Sequence, residues 1–288
     1  MKKFYKALLA CTLVLTACSS TPKGQQTPTT PTVPIPSATP ISVHFLNVGQ
    51  GDAIFIDYGT FEMQIDAGDN SSGDTVIDYI TPFVDGDLDY LVATHMDADH
   101  IGGADDVLYA FNVANIIDSG ETNKTTQTYE RYLTAREAEK AIYKPDEDMT
   151  IKIDDDLTFR VIDTGDNFSD ENDNSVILEM TYCDTKILFP GDMEAKAEES
   201  FLPLANDIDI LKVAHHGSRT SSSDALIAKL KPDYAVISAG LNNQYGHPHA
   251  ETLDTLKKYN VKVYRTDLDG NIVCTIASDN SISWKTQY

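Results

Sequence analysis

The sequence predicts an α/β protein built as a four-layer αββα sandwich, and three observations carry that reading. Short strands in close succession open the folded part of the chain. Strand and helix then alternate through the second half, which places helices outside a pair of mixed sheets. At 288 residues and 41% hydrophobic content, the chain is long enough to fill a substantial core.

The first strands are read at 42–48, 53–58 and 61–66, where apolar residues alternate with polar ones. Residues 75–84 read as a helix and 89–94 as a buried strand. A helix follows Gly103, another spans 126–142, and strands at 157–162 and 175–182 form a pair. Further strands are read at 187–189, 208–213, 234–238, 261–264 and 271–276, with helices at 195–202, 222–230 and 250–258 among them. No internal sequence repeat is visible.

The N-terminal segment reads as a processing signal. Lys2, Lys3 and Lys6 make it positive, and the apolar stretch 7–15 is too short for a comfortable transmembrane helix. Leu15-Thr16-Ala17-Cys18-Ser19-Ser20 resembles a bacterial lipoprotein box with Cys18 as the lipidated residue; soluble release after an ordinary signal peptide is the alternative. Residues 19–40, rich in Thr, Pro, Ser and Gln, bury no core and read as an extended spacer. The expected organisation is a signal peptide at 1–17, a lipidated cysteine and linker at 18–40, and one folded domain at 41–288. The expected location is the extracytoplasmic face of the cell membrane, held through lipid alone.

The formal net charge is −23, and losing the three signal lysines takes it to −26. Such a surface repels nucleic acid and anionic lipid and argues against broad binding to duplex DNA. It does not exclude a phosphodiester at a site whose metal ions supply local positive charge. Cys11 leaves with the signal and Cys18 carries lipid, so Cys183 and Cys274 remain, and both a disulfide and two buried thiols are open.

The chemistry gathers at strand ends. His95, Asp97, Asp99 and His100 fall within six residues directly after an apolar strand. Imidazole and carboxylate together suit Zn, Mn or Fe, whereas an acidic solvated loop with two incidental histidines is the bland reading. Asp192 ends a second apolar strand, placed to bridge two ions, and His215-His216 ends a third. Neighbours on an extended chain point to opposite faces, which favours His215 as a ligand and leaves His216 in reserve.

These motifs resemble the metallo-β-lactamase superfamily, and more closely the hydrolase domain of the ComEC/Rec2 competence proteins. The resemblance is carried by Asn47-Val48-Gly49-Gln50-Gly51-Asp52-Ala53, by the run from His95 to Gly103, and by Asp173-Asn174-Ser175. Gly191-Asp192, His215-His216-Gly217-Ser218 and Tyr245-Gly246-His247-Pro248-His249 complete it. It spans about 41–276 and implies a metallo-β-lactamase-type sandwich holding two divalent ions, Zn or Mn. It also implies hydrolysis by a hydroxide bridging those ions, with a nucleic acid or nucleotide as substrate. Asp99 would serve catalysis as well as ligation, and Asp66 would orient a ligand or loop. His247 would face substrate, although it also precedes a helix, and Asn174 would reach an oxyanion unless it only forms a turn. His249 reads as a helix cap and His44 as packing.

Two departures shape the expectation. Asp97 stands where the wider superfamily usually has histidine, and Asn174 and Ser175 stand where a third-motif histidine is usual. More oxygen donors move the preference from strict Zn toward Mn or Fe. Hydrolysis of a lactone, thioester or lactam is a rival reading, and a surface binding module with a vestigial site is another. The multi-span channel of full competence proteins has no counterpart, and oligomeric state is not legible.

Overall fold

The computed structural model describes residues 38–122, 124–165 and 167–288. The expected signal peptide, the lipidation at Cys18 and the linker up to residue 37 lie outside the described residues.

The chain begins with an antiparallel meander, β1 (Ile41–Phe45), β2 (Ile54–Tyr58) and β3 (Phe61–Ile65). It continues through α1 (Gly73–Ile80), β4 (Leu88–Ala93), α2 (Ala98–Ile101), α3 (Ala104–Ala110), β5 (Val113–Asp118), α4 (Gln127–Ala138) and β6 (Ile142–Pro145). The second half runs β7 (Met149–Lys152), β8 (Leu157–Ile162), β9 (Ile177–Tyr182), β10 (Thr185–Phe189), α5 (Ala195–Phe201), β11 (Ile210–Lys212) and α6 (Asp224–Leu230). It closes with β12 (Tyr234–Ile237), α7 (Ala250–Lys258), β13 (Lys262–Arg265), α8 (Thr266–Asp269), β14 (Ile272–Ile276) and β15 (Ile282–Thr286).

One sheet has the order β15-β14-β1-β2-β3-β4-β5-β6, the other β13-β12-β11-β10-β9-β8-β7. In each half a meander leads into parallel strands, β3 to β6 in the first and β10 to β13 in the second. Ile41, Val43, Phe45, Phe159, Met180 and Phe189 meet between the sheets. The outer face of the first sheet is covered by Val76, Val107 and Tyr132 from its helices, and that of the second by Phe201, Leu226 and Leu256. This is the four-layer αββα arrangement expected from the sequence.

Four strands have no counterpart in the sequence reading: β5, β6, β7 and β15. The helix expected over 126–142 ends at Ala138, because Glu139 turns to extended geometry and Ile142 of β6 already pairs with Asn115 of β5. Cys183 and Cys274 are both free thiols.

The sandwich is fastened at one edge by aromatic rings. Trp284 of β15 stacks on Tyr264 of β13 with centroids 4.3 Å apart and lies 5.3 Å from Tyr234 of β12, so the ring spans both sheets.

The opposite end of the strands from their C-termini carries a buried acid. Glu62 on β3 is 1% exposed, and its carboxylate has no side-chain hydrogen-bond partner. Burial first, then the nearby Asp85, Asp89 and Asp57, push its carboxyl up to about 8. The folded state therefore holds this proton more tightly than the unfolded chain. Stability attributable to Glu62 is intact below pH 4.5, falls as pH rises toward 8, and levels off above it. Glu62→Gln is expected to match the parent near pH 5 and exceed it at pH 8 by a few kcal/mol, on the order expected for such a shift. Urea denaturation at the two pH values checks this.

Candidate metal centre

The C-terminal ends of the parallel strands in both sheets converge on one buried cluster. Asp66 follows β3, His95 to His100 follow β4, Asp192 follows β10 and His215-His216 follow β11. A backbone hydrogen bond from Val176 N to Thr94 O, at 2.8 Å, joins the two halves there. Asp52, His100, Asp192 and His216, all buried, each bring a donor atom to within 4.8 Å of the others.

Each ring is aimed by a second interaction. Asp66, with φ of 54°, accepts from Thr94 N at 2.8 Å and Thr94 Oγ1 at 2.7 Å, and holds His100 Nδ1 at 2.7 Å. That leaves His100 Nε2 facing Asp192 Oδ1 at 3.3 Å. His216 Nδ1 is 3.1 Å from the carbonyl of Ser238, so its Nε2 faces Asp99 Oδ2 at 3.3 Å and Asp192 Oδ2 at 3.4 Å. His95 is fully buried, its Nδ1 near Thr94 Oγ1 and Ser175 Oγ, its Nε2 3.8 Å from Asp97 Oδ2. Ser175 Oγ also accepts from Asp192 N at 3.0 Å.

These residues fit divalent cations. His95 Nε2, His100 Nε2, His216 Nε2 and Asp192 Oδ1 are buried without a well-formed hydrogen bond, their nearest charged neighbours 3.3–3.8 Å away. Each such orphan costs about 1–3 kcal/mol, which a shared cation would offset. The opposite nitrogens of His100 and His216 are bound to a carboxylate and a carbonyl, the usual support for a ligating imidazole. Burial, with His100 alongside, lowers the His95 pKa and keeps that ring neutral. Burial opposes ionisation of Asp192, yet His216 and His100 outweigh it and hold the carboxyl well below its ordinary range.

The preference for His215 over His216 is corrected. Both residues adopt positive φ, 48° and 52°, so the chain is no longer extended and the alternation argument does not apply. His216 enters the buried cluster. His215 is partly exposed, bound through Nδ1 to Glu194 Oε1 at 2.9 Å, with Nε2 3.8 Å from Asp192 Oδ2. Asn174 takes the turn-forming alternative. Its amide accepts from Phe168 N at 2.9 Å and donates to Phe168 O and Asp170 O, pinning its own loop rather than facing the cluster. His247 stands at the mouth, 5.5 Å from the His215 ring and 6.2 Å from the His216 ring, and burial with His215 lowers its pKa to about 4. His249 is the N-cap residue of α7.

Sequence reasoning missed Asp52, a member of the cluster, and the buried ion pair it makes. Lys212 Nζ and Asp52 Oδ2 are 2.7 Å apart, with side chains 1% and 2% exposed. Asp52 Oδ1 has no hydrogen-bond partner and lies 4.0 Å from His216 Nδ1. A lysine inside the apolar run Ile210-Leu211-Lys212-Val213 was the available signal. Gly51 completes this layer: a Cβ there would stand 2.4 Å from the carbonyl oxygen of Asp99, and its φ is 151°. Gly51→Ala is expected to destabilise the protein by about 1–3 kcal/mol and displace the Asp99 loop. A lower melting temperature together with weaker metal uptake is the readout.

The comparisons agree with this geometry. A model of the metallo-beta-lactamase superfamily matches residues 46–240. ComE operon protein 3 of Bacillus subtilis is 31% identical over 251 residues, covering 80% of this chain and 32% of that protein. Recombination protein 2 of Haemophilus influenzae is 30% identical over 239 residues, covering 80% and 28%. The chain thus spans about a third of the length of these relatives. In fold it resembles the metallo-beta-lactamase fold protein YhfI of Bacillus subtilis, with a TM-score of 0.56, 13% identity, and coverage of 82% of this chain and 99% of that one. With its two-sheet sandwich, strand-end cluster and matched family model, the chain belongs to the metallo-beta-lactamase superfamily.

Proposed function

We propose that the protein is a metal-dependent phosphodiesterase, held at the extracytoplasmic face of the membrane by lipid on Cys18 and acting on a nucleic acid or nucleotide. The observation that carries the reading is the oxygen-rich donor set: Asp97, Asp99 and Asp192 stand beside His95, His100 and His216, and Ser175 touches the His95 ring. Likeness to a relative named for recombination supports the substrate class.

His95 and Asp97 would hold one divalent ion, Asp99, His100 and His216 a second, and Asp192 would serve both; Mn or Zn fits the set. When bound, such ions supply Lewis acidity, which makes water nucleophilic at neutral pH and stabilises charge on phosphoryl oxygens. The chain's own groups orient the reaction. Asp66 and the Ser238 carbonyl fix the His100 and His216 rings. His247, neutral at pH 7, offers a hydrogen bond to a phosphoryl oxygen from the mouth of the site.

The test is metal content by elemental analysis and turnover of bis(p-nitrophenyl) phosphate with added Mn or Zn. Metal-dependent turnover is expected, with His247→Ala slower by about 10²-fold in kcat. Bound metal without turnover would overturn the phosphodiesterase reading and favour a lactone, thioester or lactam. For the anchor, Cys18→Ala should move the protein out of the membrane fraction; unchanged fractionation would sink it.

A further inference from the structure

A cavity of about 660 Å³ opens beside the cluster, between the loop after β5 and the loop between β8 and β9. Ser175 lines it and also touches the His95 ring, so the cavity and the metal centre share a wall. The volume lies within the range that holds a drug-sized ligand.

Its charge is one-sided. Among the described residues the wall carries Glu121, Asp146, Asp163, Glu171 and Asp173 against Lys124 alone. Lys124 is already committed, paired with Glu171 and 3.6 Å from Glu121. Behind the wall the polar atoms are under-partnered. Asp146 Oδ1 and Ser119 Oγ are buried with no hydrogen-bond partner, and Phe168 adds an aromatic ring. Burial and the neighbouring Asp163 and Asp148 push the Asp146 carboxyl up to about 7, a sign of how negative this space is.

We infer that this cavity takes the uncharged, hydrogen-bond-donating end of a phosphodiester substrate, a nucleoside without a further phosphate, and that its carboxylates reject a second phosphate. The inference rests on the phosphodiesterase reading and narrows it. With the scissile phosphodiester at the metal centre, one substituent enters the cavity. Base ring N–H groups and sugar hydroxyls there meet the carboxylates that line the cavity, while the ring packs on Phe168. A polynucleotide running on through the cavity would bring its next phosphate among the carboxylates, a repulsive element that sets specificity. The enzyme then acts at chain ends or on dinucleoside monophosphates, in keeping with a net charge of −23.

The experiment uses the purified full-length chain in mild detergent with Mn, and three substrates: thymidylyl-thymidine and its forms bearing a phosphate on the 5′ or the 3′ terminus. The expected result is that one phosphorylated form has a kcat/KM at least about 10-fold below the unphosphorylated dimer, mainly through KM. In Asp146→Asn/Glu171→Gln that discrimination should fall below about threefold. Turnover of bis(p-nitrophenyl) phosphate should be unchanged, which also shows the variant is folded. Asp163→Asn serves as a second, milder variant expected to act in the same direction. Equal kcat/KM for all three dimers, or discrimination untouched in both folded variants, overturns the inference. Hydrolysis of none of the dimers or of bis(p-nitrophenyl) phosphate is a distinct outcome: it removes the phosphodiesterase reading and this inference with it.

Discussion

Asp192→Ala is expected to abolish hydrolysis and strip most of the metal, lowering kcat/KM by at least about 10³-fold. The carboxylate is 3.3 Å from His100 and 3.4 Å from His216, with His215 3.8 Å away, so it stands at the middle of the cluster. Binding to the folded state alone stabilises by mass action, by about 2.7 kcal/mol when free metal is 100 times the dissociation constant. The parent should therefore melt at a higher temperature on adding Mn or Zn, and Asp192→Ala should not. Elemental analysis and thermal melts with and without chelator make the measurement. A metal-induced rise of equal size in both proteins would remove Asp192 from the centre.

The second large effect belongs to the Asp52–Lys212 pair. Removing one member of a buried pair leaves an uncompensated charge and costs about 3–5 kcal/mol, whereas removing both is often nearly neutral. Lys212→Met and Asp52→Asn should each destabilise by that amount, and the double variant should recover most of it. Metal separates the two single variants. Lys212→Met bares a carboxylate beside the cluster, so metal should shrink its deficit. Asp52→Asn leaves an unpaired ammonium there, and metal affinity should fall about 10–100-fold, the usual loss on removing a group that supports ligands. Urea denaturation and metal titration of all four proteins complete the cycle. Simple additivity of the two single effects would show that the residues do not act as a pair.

Much of the centre was legible because the relevant side chains follow apolar strands. His95, Asp97, Asp99, His100 and Asp192 come directly after runs that read as buried β structure, and the C-terminal ends of parallel strands gather in one place. The choice at His215-His216 was not legible, because it depends on a left-handed turn that neither residue type announces. Asp52 and Lys212 are 160 positions apart, and only the folded sandwich brings them into contact. At Asn174 the turn-forming alternative is the one the structure displays, since an Asp/Asn-rich loop can turn its polar side chains onto its own backbone. Among the strands, β5 escaped notice because it is short and buried nearly throughout, with no clean alternation. Strand β15 does alternate, but Ser283 and Lys285 make it read as a polar tail.

The aromatic clasp at the far edge has a spectroscopic consequence. Trp284 is the chain's single tryptophan and is held between Tyr264 and Tyr234 of the opposite sheet. Its emission is therefore an intrinsic gauge of whether the two sheets remain closed, with no second indole to confuse the signal. During slow chelation, an unchanged emission maximum while metal leaves would mean the ligand loops yield first over an intact sandwich. A red shift in step with metal loss would mean that both sheets open as one cooperative unit.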